Sequence, residues 1–212
     1  SMVCLMAGMM CWVSALSAGN KVSGAKGTKT SEALKVMVVG LPDNVRSNYF
    51  PLMMISQETG IPADSVVYVY NNAIAANIID GNKNDGVEFI MPKNSGEVRA
   101  VIQKVSLQGD EALNKSANLS QVSGNEYQQL LADNDADYVL LLNQHYLKWQ
   151  EKPMQTVFHI TSYSLFDKDK NEVIHGNNNF TTMSLEGQEK LYRDARKCSS
   201  KILSSVLKTL DR

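Results

Sequence analysis

The chain is poor in the residues that carry most enzyme and scaffold chemistry. It has 3 cysteines, and two of them, Cys4 and Cys11, lie in an apolar run at the start. Once that run is set aside, Cys198 remains as a single thiol, and no intrachain disulfide can form. A lone thiol is either reactive or packed. Cys198 falls on the apolar stripe of a helix, which reads as packing. Only 3 histidines are available as bases or metal ligands. Charge of one sign is also missing: the formal net charge is −1, so no basic surface for nucleic acid is expected. There is no Gly-x-Ser-x-Gly elbow and no His-Glu-x-x-His pair. The stretch Gly24 to Thr30 resembles a phosphate loop only superficially, because Gly-Lys-Thr is not contiguous and no strand precedes it.

What is present is the composition of a globular protein, with 43% hydrophobic and 20% charged residues over 212 positions. That length can bury one core without disulfides. Met2 to Ala18 is an uncharged, mostly apolar run, followed by a Gly/Ser/Lys/Thr stretch. An apolar core followed by small residues is the pattern of a secretory signal, with cleavage near Ala15-Leu16-Ser17 or Leu16-Ser17-Ala18, although no basic segment precedes it. A membrane anchor and a lipoprotein signal are the alternatives. The run sits at the lower limit for spanning. Met9 and Met10 before Cys11 fit a lipidation site badly. The expected organisation is a signal-like segment at 1–18, a flexible linker at 19–32 and one α/β domain at 33–212.

Within that domain, Leu34 to Val39 reads as a buried strand ending at Gly40 and Pro42. Asn48 to Thr59 reads as partly helical. Pro62 and Asp64 open a second helix, with Asp64 as N-cap and Val67, Tyr70, Ile74 and Ile78 at helical spacing. Val87 to Met91 is a short strand. Val98, Val101, Ile102 and Val105 point to a helix, and the polar tract Gln108 to Gly124 reads as loop. Ser123 and Glu126 form a capping box for a helix over Glu126 to Ala132. Tyr138 to Trp149, Thr156 to Phe166 and Glu172 to Thr182 read as an antiparallel meander. A final helix carries Leu191, Ala195, Cys198, Ile202, Val206 and Leu210 on one stripe. The expected fold is therefore α/β (α+β): a mixed sheet with an antiparallel C-terminal meander, helices packed on it and a C-terminal helix.

Three constellations are candidates for chemistry. His145, His159 and His175 fall on successive predicted strands. If Asp167 pairs with Glu172, His159 sits opposite Phe180 and His175 opposite Ser164, about 17 Å apart at strand rise. Those two cannot share a metal. His145 is placed near His159 or on the opposite face by a single residue of register. Asp133, Asp135 and Asp137 alternate like the start of a calcium loop, but Tyr138 stands where the loop needs Gly. Tyr68, Tyr70, Tyr146, Trp149 and Tyr163 are a binding face or, more in keeping with sheet aromatics, packing. No catalytic, cofactor-binding or metal residue is assigned.

The order of elements, from Lys35-Val-Met-Val-Val-Gly-Leu-Pro42 through Asn134-Asp-Ala-Asp-Tyr-Val-Leu140 and Phe166-Asp-Lys-Asp-Lys-Asn-Glu-Val173 to a C-terminal helix, resembles a group of bacterial periplasmic α/β domains. These are the curli-secretion-channel type, the outer-membrane lipoprotein activators of penicillin-binding proteins and the amino-terminal domain of the Tol–Pal propeller protein. The resemblance covers roughly residues 33–210. Asp135 and Asn171 stand where such domains often carry Gly. The resemblance implies an exported, periplasmic or outer-membrane-associated location. It also implies no cofactor, and work done through contacts with another envelope protein or through self-association. Nucleic acid is not expected as a partner, and the membrane enters only through an uncleaved N-terminal segment. The expected function is thus a cell-envelope binding or assembly module without catalysis. The alternatives are a hydrolase or metal-dependent enzyme using His145 and His159, and a membrane-anchored structural protein. The enzyme reading requires a polar pocket joining the two histidines.

Overall fold

A computed structural model describes residues 32–210. The expectations for the signal-like segment, the phosphate-loop likeness and nearly all of the linker lie outside the described residues. Strands β1 (Leu34–Gly40) and β2 (Val45–Ser47) are followed by helices α1 (Leu52–Thr59) and α2 (Val66–Gly81). Next come β3 (Val87–Ile90), α3 (Ser95–Ile102), the hairpin β4 (Ser106–Asp110) and β5 (Asn114–Asn118), and α4 (Gly124–Asn134). The meander β6 (Tyr138–Gln150), β7 (Thr156–Phe166) and β8 (Glu172–Thr182) leads into α5 (Gln188–Leu210).

The main sheet runs β3-β1-β6-β7-β8, with β2 paired to the far part of β6. β1 is parallel to β3 and β6, and the meander is antiparallel. This is the expected mixed sheet with helices packed on it. Its faces are buried in two separate cores. Val36, Val38, Leu140 and Leu142 face α2 and α5, while Met37, Val39, Val139 and Leu141 face α3 and α4. Burial on both faces explains why β1 and the start of β6 read as continuous apolar runs.

A bulge between Leu142 and Gln144 reverses the alternation of β6. Beyond it, Leu147 and Trp149 pack on the helix side instead of the even-numbered residues. Asn143, fully buried at the bulge, donates to the Lys115 carbonyl at 2.9 Å and to Ser164 Oγ at 2.8 Å.

The tract Gln108 to Gly124, expected as loop, contains most of a hairpin. β4 and β5 pair from Ser106–Asn118 to Asp110–Asn114. Their sequences, SLQGD and NKSAN, have little strand propensity. They are held from outside. The Lys115 N–H donates to Ser162 Oγ at 3.1 Å and the Ala117 N–H to Ser164 Oγ at 3.3 Å. Gln144 and Asn177 donate to the Glu111 and Leu113 carbonyls.

Two smaller expectations also change. The N-cap of α2 is Ser65 rather than Asp64, and Ser65 makes no side-chain cap bond; its hydroxyl bonds Asp64 instead. Phe166, not Asp167, pairs with Glu172, because the register slips by one after Leu165. Asp167 instead organises the turn, accepting from the Asp169 and Asn171 N–H groups at 2.8 Å each. The left-handed residue there is Lys170 (φ 63). At Gly40 a β-carbon would come within 2.2 Å of the Asn71 side chain, so glycine is what lets α2 approach β1.

Candidate functional site

The bulge decides the fate of the histidines. It turns His145 to the same face as His159, and their rings meet with Nε2 to Nδ1 at 3.2 Å. His159 Nε2 lies 3.0 Å from Thr182 Oγ1, which in turn donates to the Ser184 carbonyl at 3.0 Å. Because the Thr182 hydrogen is committed to Ser184, His159 Nε2 must carry a proton, and its Nδ1 accepts one from His145 Nε2. Both imidazoles are therefore assigned as neutral Nε2–H tautomers. The chain of donors ends at His145 Nδ1, a buried acceptor with no partner.

The surroundings keep the pair neutral. Tyr70 meets the His145 ring edge-on at 4.8 Å, and Phe180 stacks on His159 at 4.4 Å. Burial drives His145 down to about 4, and burial together with His145 drives His159 well below its ordinary value. Asp194 lies under the same layer and pairs with Lys197 at 3.4 Å. Tyr70, both histidines, Leu185, Leu191 and Asp194 help enclose about 10 Å³. That space admits roughly one water and no substrate. The cavity that joins these histidines is thus too small to be the substrate pocket that the hydrolase reading requires.

His175 is where the sequence register puts it, opposite Ser164, while His159 is opposite Phe180. The odd offset sets His159 and His175 on opposite faces. Among the described residues, no three His, Cys, Asp or Glu side chains are placed to hold a metal ion. The three aspartates have structural work. Asp135 caps α4 in the left-handed region (φ 54) and pairs with Lys35. Asp137 Oδ2 accepts the Lys35 N–H at 2.8 Å, and Asp133 accepts from Gln129. Cys198 is fully buried against Thr161 at 3.2 Å, and burial pushes its thiol up to about 11. Such a thiol is inert.

The aromatic set divides. Tyr70, Tyr146 and Tyr163 are buried, whereas Tyr68 is 69% exposed. Trp149 is half-buried and begins the most distinctive surface of the molecule, at the turn between β6 and β7. Tyr49 stacks on Trp149 at 5.6 Å (23° between planes), and Phe50 meets it edge-on at 5.6 Å. Asn48 locks this segment to the end of β6, exchanging bonds with the Trp149 N–H (2.7 Å) and carbonyl (3.2 Å). At the same end lie Met53 in the first turn of α1, Met154 in the β6–β7 connection and Met183 just beyond Thr182, the partner of Val157. Tyr49, Met53, Met154 and Met183 are each more than half exposed. Sequence reasoning singled out Trp149 but not the methionines, which are scattered over 130 residues and show no spacing pattern.

Open crevices mark the surface elsewhere. One, about 380 Å³, lies beyond the end of β1 and is bridged by Arg46 and Glu111 at 3.3 Å. Two more, about 490 and 570 Å³, lie between α2 and α5, the first beside Tyr68 and Tyr192 and the second beside Leu203 and Leu207. A further one, about 320 Å³, lies between α3 and α4. No helix of the described residues is long and apolar enough to cross a membrane.

No protein-family model matches the chain, and no curated protein matches it. Among solved structures, it is similar to the PelC dodecamer from Paraburkholderia phytofirmans. The two share 13% identity over 82% of this chain and 89% of that one, with a TM-score of 0.41. It is also similar to the lipoprotein GNA1162 from Neisseria meningitidis, at 12% identity over 84% and 98% of the two chains and a TM-score of 0.38. The C-terminal domain of LpoB from Salmonella enterica shares 11% identity over 72% and 86% of the chains, with a TM-score of 0.31.

Proposed function

We propose that the chain is an exported cell-envelope binding or assembly module that works by docking a protein partner, without catalysis. The observation that carries the reading is the aromatic and methionine surface at the β6–β7 end. Tyr49, stacked on Trp149, and Met53, Met154 and Met183 place large apolar side chains in solvent at this end of the sheet. Burying them against a partner removes that apolar area from water. Methionine suits such a surface, because its unbranched, polarisable side chain adapts to irregular partners. The export half of the proposal rests on the apolar run at 2–18 and on the resemblance drawn from the order of elements.

Site-specific photo-crosslinking tests the docking role. A photoreactive residue at Met53 is expected to give one discrete envelope adduct, and the same residue at Lys208 none. The double variant Met53→Asp, Met183→Asp should abolish the partner's retention while leaving the circular dichroism unchanged. Equal adducts at both positions, or full retention by the double variant, would overturn the reading. Sequencing the mature N-terminus from the isolated envelope fraction tests export separately.

A further inference from the structure

We infer that the crevice beyond the end of β1 binds a small zwitterion, the amino-carboxylate of a free α-amino acid or short peptide with an apolar side chain. This site does not depend on what docks at the aromatic end.

The sheet opens at this point. β1 pairs with β6 as far as Gly40 and Leu142, and β2 resumes at Val45 and His145. Leu41 to Asn44 therefore stand against only Asn143 and Gln144, where β6 itself bulges. The loop turns outward through Asp43, which is left-handed (φ 53). It is pinned at both ends. The Leu41 N–H donates to the Leu142 carbonyl at 3.2 Å, and the His145 N–H to the Asn44 carbonyl at 2.8 Å. The crevice is thus built into the fold, and its about 380 Å³ suits a small molecule. Its place in the topology is that of a ligand site. β1 lies between β3 and β6; the chain reaches β3 through α2 on one face and β6 through α3 and α4 on the other. The order of the parallel strands reverses between β1 and β6. In open α/β sheets ligands bind at such a reversal, outside the carboxyl end of the strand.

The uncommitted polar groups name the chemistry. Gln144 is 3% exposed and lines the crevice. Its Nε2 donates to the Glu111 carbonyl at 2.7 Å, and its Oε1 accepts no bond among the described residues. Lys115, half-buried on the hairpin, lines the same space, and its Nζ has no carboxylate or acceptor among the described residues. The Asp43 carboxylate is likewise without a partner there. Arg46 and Glu111 neutralise each other at 3.3 Å. The free charges that remain are Lys115 and Asp43, beside the nearly buried Gln144 acceptor. Phosphate would satisfy Lys115 but set its oxygens against those of Asp43 and Gln144. A simple cation would do the reverse. An amino-carboxylate matches every group, with its carboxylate on Lys115 and its N–H donors on Asp43 and Gln144 Oε1. Ile102, Val105 and Leu107, each partly buried on the same wall, suit an apolar side chain.

Titration of the full chain with L-leucine and with L-leucyl-L-leucine, followed by amide NMR shifts, tests the site. Saturable shifts are expected at Asp43, Lys115 and Gln144, and the tighter ligand tells free amino acid from peptide. Capping either charge of that ligand, by N-acetylation or C-amidation, should weaken it about tenfold, the usual loss of a charge-assisted bond. Lys115→Ala should weaken the uncapped ligand about tenfold and leave its amide unchanged. Asp43→Asn should weaken the uncapped ligand likewise and leave its N-acetyl form unchanged. Asparagine tolerates the left-handed backbone, so circular dichroism should not change. Saturable binding of neither ligand, equal binding of capped and uncapped forms, inorganic phosphate binding as tightly at the same residues, or Lys115→Ala weakening the amide as much as the acid overturns the proposal. Met53→Asp, Met183→Asp should leave the titration unchanged, so failure of the docking role is read separately.

Discussion

One sheet is covered in two different ways. On one face α2 and α5 bury it with apolar side chains: Ile74, Ile78, Ile202 and Val206 are at most 1% exposed, and they pack over Val36, Val38, Leu140 and Leu142. On the other face α3 and α4 cover β1 and the start of β6, and a polar hairpin then takes over. There the cover is held by hydrogen bonds to the hairpin backbone: Ser162 and Ser164 accept from N–H groups of β5, Asn143 donates to a β5 carbonyl, and Gln144 and Asn177 donate to carbonyls of the β4–β5 turn. The apolar cover depends on volume and exclusion of water. The polar cover depends on each donor finding its acceptor, so it fails locally.

The largest contrast is expected from acid, which attacks the helix-covered face through its two neutral histidines. Their folded values lie below the ordinary 6.5, while the unfolded chain titrates near 6.5. Protons therefore bind the unfolded state preferentially as pH falls below that value. The stabilisation is fully present above about pH 6.5 and is lost as pH falls toward about 4. The urea midpoint should drop between about pH 7 and about pH 5, above the range in which Asp135 and Asp167, held below ordinary carboxylate values, take up protons. A midpoint that stays flat across that window would mean the imidazoles are not buried as neutral groups.

Next in size is a cavity on the same face. Ile202 is fully buried on α5, and Ile202→Ala should cost about 3 kcal/mol, as buried isoleucine truncations do. On the hairpin-covered face, Ser164→Ala removes one hydroxyl that serves both Asn143 and the Ala117 N–H. Leaving two buried donors short should cost about 2 kcal/mol. The two losses should differ in kind as well as size. Hydrogen exchange should rise across α5 and β6 in the first variant, and mainly in β4 and β5 in the second. If Ser164→Ala loosens α5 as much as the hairpin, the two covers are not independent.

The same contrast explains what could be read in the sequence. The apolar cover leaves periodicity, so the meander boundaries and the stripe Leu191-Ala195-Cys198-Ile202-Val206 were legible. The polar cover leaves none. Nothing in SLQGD or NKSAN announces strands whose acceptors are serines some 47 residues away. The bulge at Asn143 was equally silent, although it decides whether His145 meets His159. The His159–Phe180 and Ser164–His175 pairings follow from a starting pair that the structure does not form: Phe166, not Asp167, meets Glu172, and the one-residue slip between Leu165 and Phe166 restores the register that an Asp167–Glu172 pair would have set. The aromatic and methionine surface was half legible: Trp149 stood out, and the methionines around it did not.

The smallest effect belongs to α4, whose start is fixed by a local hydrogen-bond code. Ser123 Oγ accepts from the Glu126 N–H at 3.3 Å, and Glu126 accepts in return from the Ser123 N–H at 3.1 Å. Lys104 reaches the same carboxylate and, with Ser123, holds Glu126 down to about 2. Ser123→Ala removes one side of the box and should cost about 1 kcal/mol, the usual worth of a serine N-cap. Thermal or urea unfolding reads the loss, and Ser123→Asp should recover most of it because an aspartate accepts the same bond. Since α4 anchors the β7–β8 turn through the Tyr127 hydroxyl on the Asp167 carbonyl at 2.8 Å, the loss should reach that turn as well. If amide exchange at Asp169 and Asn171 rises with that in the first turn of α4, the hairpin-covered face behaves as one hydrogen-bonded unit. If it does not, the box is a local cap and the polar cover is a set of separate contacts.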